Sequence, residues 1–189
     1  PGAVRLPRLF TYWFVVMLSL LVVGCSSPED KANQFYQKGM TLLQQGDYVK
    51  ARLELSNALQ LQPNMAKAWY GLAQVAEKQS QWQKSFSYLN KVLELDPRHL
   101  AAEVKRTRLL LVSGEIDKAL QASKKLMGRS GDDVDVLSLR AAVLLKLDDA
   151  AGAVKHAKAA LAKTPNHIDA LVILATERLK SDDPQASLK

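Results

Sequence analysis

The sequence predicts an all-α fold, a right-handed solenoid of antiparallel helix hairpins, and three observations carry that expectation. The first is a fixed period: Pro63, Pro97, Gly131 and Pro165 stand 34 residues apart. The second is a pair of small-residue columns at the same period, Gly39, Ala73, Thr107, Ala141 and Ala51, Ser85, Ala119, Ala153, separated by a turn column of Gly46, Ser80, Gly114 and Asp148. The third is that apolar residues on either side of the turn column recur every three or four residues, the spacing of one helix face. A period of this size marks stacked hairpins, each too small to bury its own apolar face.

With Ala32 at position 1 and Pro63 at position 32, Phe35, Gly39 and Leu42 fall at positions 4, 8 and 11 on one face of a first helix. Ala51, Leu55 and Ala58 fall at 20, 24 and 27 on one face of a second. Where the two helices cross, small side chains at 8 and 20 let the axes approach to the short end of the usual range of about 8–10 Å. Gly39 is expected to meet Ala51, Ala73 to meet Ser85, and Ala141 to meet Ala153. These columns, together with Trp69-x-x-Leu72-Ala73 in the second repeat, resemble the tetratricopeptide repeat.

Before the repeats, residues 1–24 read as a signal peptide. Arg5 and Arg8 give a basic start, and Leu9 to Val23 is an uncharged apolar run of 15 residues. Such a run is short for a membrane span, which needs about 20 residues, and suits a signal-peptide core. Val22-Val23-Gly24-Cys25 resembles a bacterial lipobox, which implies cleavage before Cys25 and acylation of its thiol and new amine. Cys25 is the sole cysteine, so an internal disulfide is excluded and lipidation accounts for the odd thiol. Two or more acyl chains, at about 0.8 kcal/mol per buried CH₂, anchor a protein to the lipid bilayer effectively permanently. By resemblance to Gram-negative sorting, Ser26 rather than Asp after the cysteine implies the outer membrane. Residues 25–31 are expected to form a polar tether.

The first repeat covers 32–65 with a marked turn at Gly46-Asp47-Tyr48, and its second helix, from Val49 to Leu61, stops before Pro63. The second, 66–99, fits the pattern best. The third, 100–133, is degenerate: Glu103 and Arg106 occupy positions where a large apolar residue is usual, and Gly128 and Gly131 predict a kink or looser packing. Asp132 and Asp133 then cap the next helix. The fourth repeat, 134–167, has an alanine-rich second helix. A partial fifth, 168–189, keeps Leu171, Leu174 and Ala175 in phase and implies an array that continues in a longer protein.

Composition narrows the function. The formal charge is +7, and with Arg5 and Arg8 set aside the remaining 24 basic and 19 acidic residues leave +5, interleaved as on solvated helix faces. That balance does not call for nucleic acid. His99, His156 and His167 lie far apart, no glycine-rich phosphate loop occurs, and no serine or cysteine has a paired base, so no enzyme, metal or cofactor is expected. Trp69 and Trp82, at positions 4 and 17, are expected in the core.

The tetratricopeptide resemblance implies that first helices line a concave groove which binds other proteins as an extended peptide or inserted helix. Carried onto this chain, the groove-facing positions include Tyr36, Met40, Leu43, Lys67, Tyr70, Gln74, Arg108 and Leu111. Tyr36 and Met40 replace the Lys and Asn by which chaperone-type repeats hold a carboxylate, so a chaperone-tail clamp is not expected. Gly46-Asp47-Tyr48 and Asn57-Ala58-Leu59-Gln60-Leu61 resemble the repeat lipoproteins of PEP-CTERM sorting and exopolysaccharide export. The reading is a non-enzymatic, lipid-anchored scaffold of the bacterial envelope. The alternatives are a pilus or outer-membrane assembly lipoprotein, or the docking arm of an enzyme.

Overall fold

The computed structural model describes residues 27–181, and every described element is an α-helix. First helices are α1 (Pro28–Gln44), α3 (Ala66–Lys78), α5 (Leu100–Val112), α7 (Val134–Lys146) and α9 (Ile168–Ser181). Second helices are α2 (Tyr48–Leu61), α4 (Trp82–Leu95), α6 (Ile116–Ser130) and α8 (Ala150–Lys163). From α3 on, first helices start 34 residues apart, and so do all the second helices. Each helix packs on the next in sequence, and first helices also adjoin the next first helix, α1 with α3, α5 with α7 and α7 with α9. The signal segment 1–24, Cys25 and residues 182–189 lie outside the described residues.

The small columns occupy the helix crossings. Ala51, Ser85, Ala119 and Ala153 are fully buried, as are Ala73 and Ala141. In the first hairpin the approach is closest: a Cβ added to Gly39 would sit 2.8 Å from Leu55 Cγ and 3.2 Å from the Ala51 carbonyl oxygen. The core is a chain of layers, one between each pair of hairpins, rather than a single centre.

The turn column has one backbone reason. Gly46 (φ +82°), Ser80 (+56°), Gly114 (+85°) and Asp148 (+58°) are all left-handed. Just after each, an N–H reaches back five residues to close the first helix: Asp47 to Leu42, Gln81 to Ala76, Glu115 to Leu110 and Asp149 to Leu144, at 2.8–3.0 Å. This is the Schellman closure, in which a left-handed residue lets otherwise unpaired carbonyls find donors. Gly114→Ala should therefore lower stability by about 1 kcal/mol through backbone strain alone, since nothing lies within 4 Å of the new Cβ. Urea unfolding of the variant checks this, and an unchanged midpoint contradicts the turn geometry.

Three sequence expectations need correction. The tether does not reach residue 31, because α1 starts at Pro28. Ser27 accepts from the Asp30 N–H at 3.0 Å and Asp30 Oδ2 accepts from the Ser27 N–H at 3.0 Å, a capping box, with proline in the first turn where its missing N–H costs nothing. The third repeat has no kink, since α6 runs unbroken through Gly128, but its looser packing is present: α5 and α6 touch each other less than the two helices of the other hairpins do. Glu103 is buried there by an ion pair with Arg129, the means by which a carboxylate holds an apolar position. Asp133 caps α7, accepting from Val136 N–H at 3.0 Å, whereas Asp132 lies outside, 3.5 Å from Lys163 Nζ. In α9 Leu171 is 45% exposed and Ala175 is exposed, because no second helix packs on them among the described residues.

Candidate functional site: the wall of first helices

The first helices form one wall, and three kinds of chemistry follow each other along it. At the α1–α3 end, Tyr36 is half-buried and Lys67 Nζ stands 4.8 Å from its ring centroid, a cation over an aromatic face. Lys67 Nζ also donates to Asn33 Oδ1 at 2.6 Å, so residues one repeat apart hold each other. Burial pushes the Tyr36 hydroxyl pKa up. Met40 and Leu43 are half-buried and pack against the core between the first two hairpins. Their outer portions remain on the wall.

Next comes Tyr70, whose ring centroid lies 4.8 Å from that of His99. Burial first, then the charges of Glu77 and Asp135, push the Tyr70 phenol up to about 12. It therefore stays a neutral hydrogen-bonding hydroxyl under physiological conditions. His99 is fixed because its Nδ1 accepts the Ala102 N–H at 3.2 Å, capping α5. Gln74 Oε1 is buried beside this region with no hydrogen-bond partner among the described residues. Lys105 Nζ and Glu77 Oε2 pair at 2.6 Å across α3 and α5.

The far end is polar. Arg108 forms an ion pair with Asp169 that ties α5 to α9, while its Nη2, 4.0 Å from Asp135 on α7, is buried with no hydrogen-bond partner among the described residues. His167 Nε2 lies 3.1 Å from Asp135 Oδ1, and its Nδ1 accepts the Ala170 N–H at 3.4 Å. Leu111 is half-buried against the core cluster of the third and fourth hairpins.

The structure thus brings Tyr36, Met40, Leu43 and Lys67 together, sets Tyr70 and Gln74 beside them, and spends Arg108 on internal carboxylates. Sequence reasoning missed His99, Lys105, His167 and Asp169. The available signal was spacing: His99 and His167 stand two repeats apart at position 34, where helix caps belong. One tryptophan expectation is also overturned. Trp69 donates Nε1–H to Pro63 O at 2.8 Å and packs 5.8 Å from Tyr88, whereas Trp82, at the first position of α4, is 54% exposed.

Comparison with known proteins agrees with the fold. Residues 36–99 match the family model described as tetratricopeptide repeat. MamA from Desulfovibrio magneticus RS-1 superposes with TM-score 0.67 at 18% identity, covering 84% of this chain and 90% of that one. YrrB, described as a TPR protein with an unusual peptide-binding site, superposes with TM-score 0.61 at 16% identity, covering 82% and 79%. Among curated proteins, human protein O-mannosyl-transferase TMTC3 is 28% identical over 125 residues, 64% of this chain but 13% of that protein's length.

Proposed function

Starting from a chain that folds as tetratricopeptide repeats, we propose that it is a non-enzymatic scaffold which binds a polypeptide along its first-helix wall and is held at a bilayer through Cys25. The fold is typical of protein-binding scaffolds, and the observation that supports this reading is the run of half-buried Tyr36, Met40 and Tyr70 on successive first helices. Two aromatics and a thioether in a row give an adaptable apolar surface, with Lys67 and the Tyr70 hydroxyl as polar handles for a peptide backbone.

Tyr36→Ala with Tyr70→Ala should abolish capture of the partner while leaving helicity within error by circular dichroism. Retained capture removes the wall from the binding site; lost helicity makes both residues structural. The anchor rests on the Val22-Val23-Gly24-Cys25 pattern. Cys25→Ala should move the protein from the membrane to the soluble fraction, and persistence in the membrane fraction ends the lipidation proposal. The phrases at 46–48 and 57–61 support a place in exopolysaccharide export or PEP-CTERM sorting, with pilus or outer-membrane assembly as the alternative of the same architecture.

One observation favours a second reading. The human relative is named as a transferase, which is consistent with these repeats serving as one arm of a larger enzyme. The full reading frame decides between them: further 34-residue periods support the scaffold, and a domain of another pattern supports the enzyme.

A further inference from the structure

The second helices of the third and fourth hairpins carry a face that the wall does not use. α6 and α8 together hold seven lysines and arginines and one carboxylate, Asp117. Three of these cations are engaged: Lys118 with Glu115 at 3.0 Å, Lys163 with Asp132 at 3.5 Å, and Arg129 with Glu103. The other four, Lys124, Lys125, Lys155 and Lys158, are exposed and have no carboxylate within salt-bridge distance among the described residues. They share one side of the stack. Ala119, Ser123 and Leu126 bury one face of α6, Ala153, Ala157 and Ala160 bury the matching face of α8, and the four lysines point away from those faces. Glu115, Asp132, Asp133, Asp148 and Asp149 lie at the turns, beyond the ends of both helices. Between the helices Arg140 Nη1 donates to Ser123 Oγ at 3.1 Å. Burial first, then the charges of Arg140 and Lys155, hold the His156 pKa below its usual value. Neither helix carries a Phe, Tyr or Trp, and neither exposes a large apolar side chain.

We propose that this face lies against an anionic bilayer and turns the first-helix wall away from it. Charge supports this, and side-chain chemistry narrows it. Four unpaired ammonium groups favour an array of negative charge, each lysine strengthening adsorption to anionic lipid about fivefold. Lysine supplies a point charge without the planar fork by which arginine fixes a single phosphate or carboxylate, so the face suits headgroups that move past it. With no aromatic side chain there is no platform on which bases stack. With no exposed large apolar side chain there is no anchor for the centre of a protein interface. Among anionic partners a bilayer is favoured because the anchor proposed at Cys25 stands two residues before Ser27 and holds the stack beside one, so this choice rests on that reading. The two contacts then differ in role. Acyl chains give affinity, and the lysine face gives orientation. Because first helices adjoin first helices, α6 and α8 lie across the stack from the wall, which leaves Tyr36, Met40 and Tyr70 open to a polypeptide.

The test uses the full chain with Cys25→Ala, which has no thiol to acylate, and flotation with vesicles of phosphatidylcholine alone or mixed with phosphatidylglycerol. At low salt the mixed vesicles should bind the protein about tenfold or more better than the neutral ones, and high salt should remove the difference. Arg5 and Arg8 contribute alike in every variant. Lys124→Glu, Lys125→Glu, Lys155→Glu and Lys158→Glu combined should lower the preference about tenfold or more with unchanged circular dichroism, and Lys→Gln at the same four positions should lower it in part. Lys31→Glu, Lys78→Glu, Arg98→Glu and Lys146→Glu make the same charge change on exposed side chains elsewhere and should lower it by less than about threefold. Equal loss in the two sets overturns the proposal, because net charge rather than this face then binds. An absent preference for phosphatidylglycerol overturns it too. Binding of double-stranded DNA that falls with the four lysines while flotation does not overturns it in favour of nucleic acid. In the acylated chain on mixed vesicles, a water-soluble amine reagent should label Lys124 and Lys158 severalfold more slowly than Lys78, and equal rates overturn the orientation. Failure of these tests leaves the anchor reading standing, whereas a natural chain that stays soluble while the Cys25→Ala chain floats with phosphatidylglycerol refutes the anchor alone.

Discussion

Leu55→Ala is expected to lower stability by about 3–5 kcal/mol, near the top of the range for a buried leucine. Leu55 is completely buried and fills the space that two glycines leave open. A Cβ on Gly39 would stand 2.8 Å from its Cγ, and a Cβ on Gly71 would stand 3.0 Å from both its Cδ atoms. One side chain therefore fills the crossing within the first hairpin and the contact with the next. Removing it opens a cavity whose walls are helix backbones, which collapse poorly. Gly71→Ala is the converse, forcing Leu55 and Met40 Sδ (3.1 Å away) to give way, at about 1–2 kcal/mol. The double variant should cost clearly less than the sum, because the added methyl occupies part of the cavity. Denaturant unfolding of the three proteins checks both statements. A loss under about 1 kcal/mol for Leu55→Ala, or strict additivity, would show that the hairpins do not meet through this residue.

The second large effect concerns Glu103, 8% exposed and paired with Arg129 across α5 and α6. Arg129→Ala leaves that carboxylate buried without its cation and should cost about 2 kcal/mol, less than the roughly 3–5 of a fully buried pair because the Arg129 side chain is 35% exposed. Glu103→Leu removes the charge that needs a partner, places an apolar residue where the repeat pattern has one, and should be neutral or stabilising. The opposite signs are the informative result. If both substitutions destabilise equally, the ion pair contributes more than a leucine would in its place.

The two effects differ in how far the chain announced them. Gly39 and Ala51 stand in columns that recur in register, and Leu55 shares the helix face of Ala51, so the meeting of Gly39 with that face was readable before any coordinates. That Gly71 would also press on Leu55 was not, since position 6 belongs to no column and only the stacking of α3 on α2 brings it there. Glu103 was recognised as out of pattern, but its partner stands 26 residues away on the opposing helix, and no local rule pairs position 4 with position 30. The same holds on the wall. Tyr36, Lys67 and Tyr70 were placed by the tetratricopeptide resemblance and their phase in the repeat, whereas Arg108 looked like a free recognition group until the approach of α7 and α9 put Asp135 and Asp169 near it.

Period, the turn column and the small crossings were determined by the sequence itself, because each depends on contacts within one hairpin or between equivalent neighbours. The exposure of Trp82, the burial of Glu103 and the internal use of Arg108 were decided by tertiary structure. Each depends on which side chain of a non-identical neighbour arrives at the shared layer, and a repeat pattern specifies the position of that neighbour but not its chemistry.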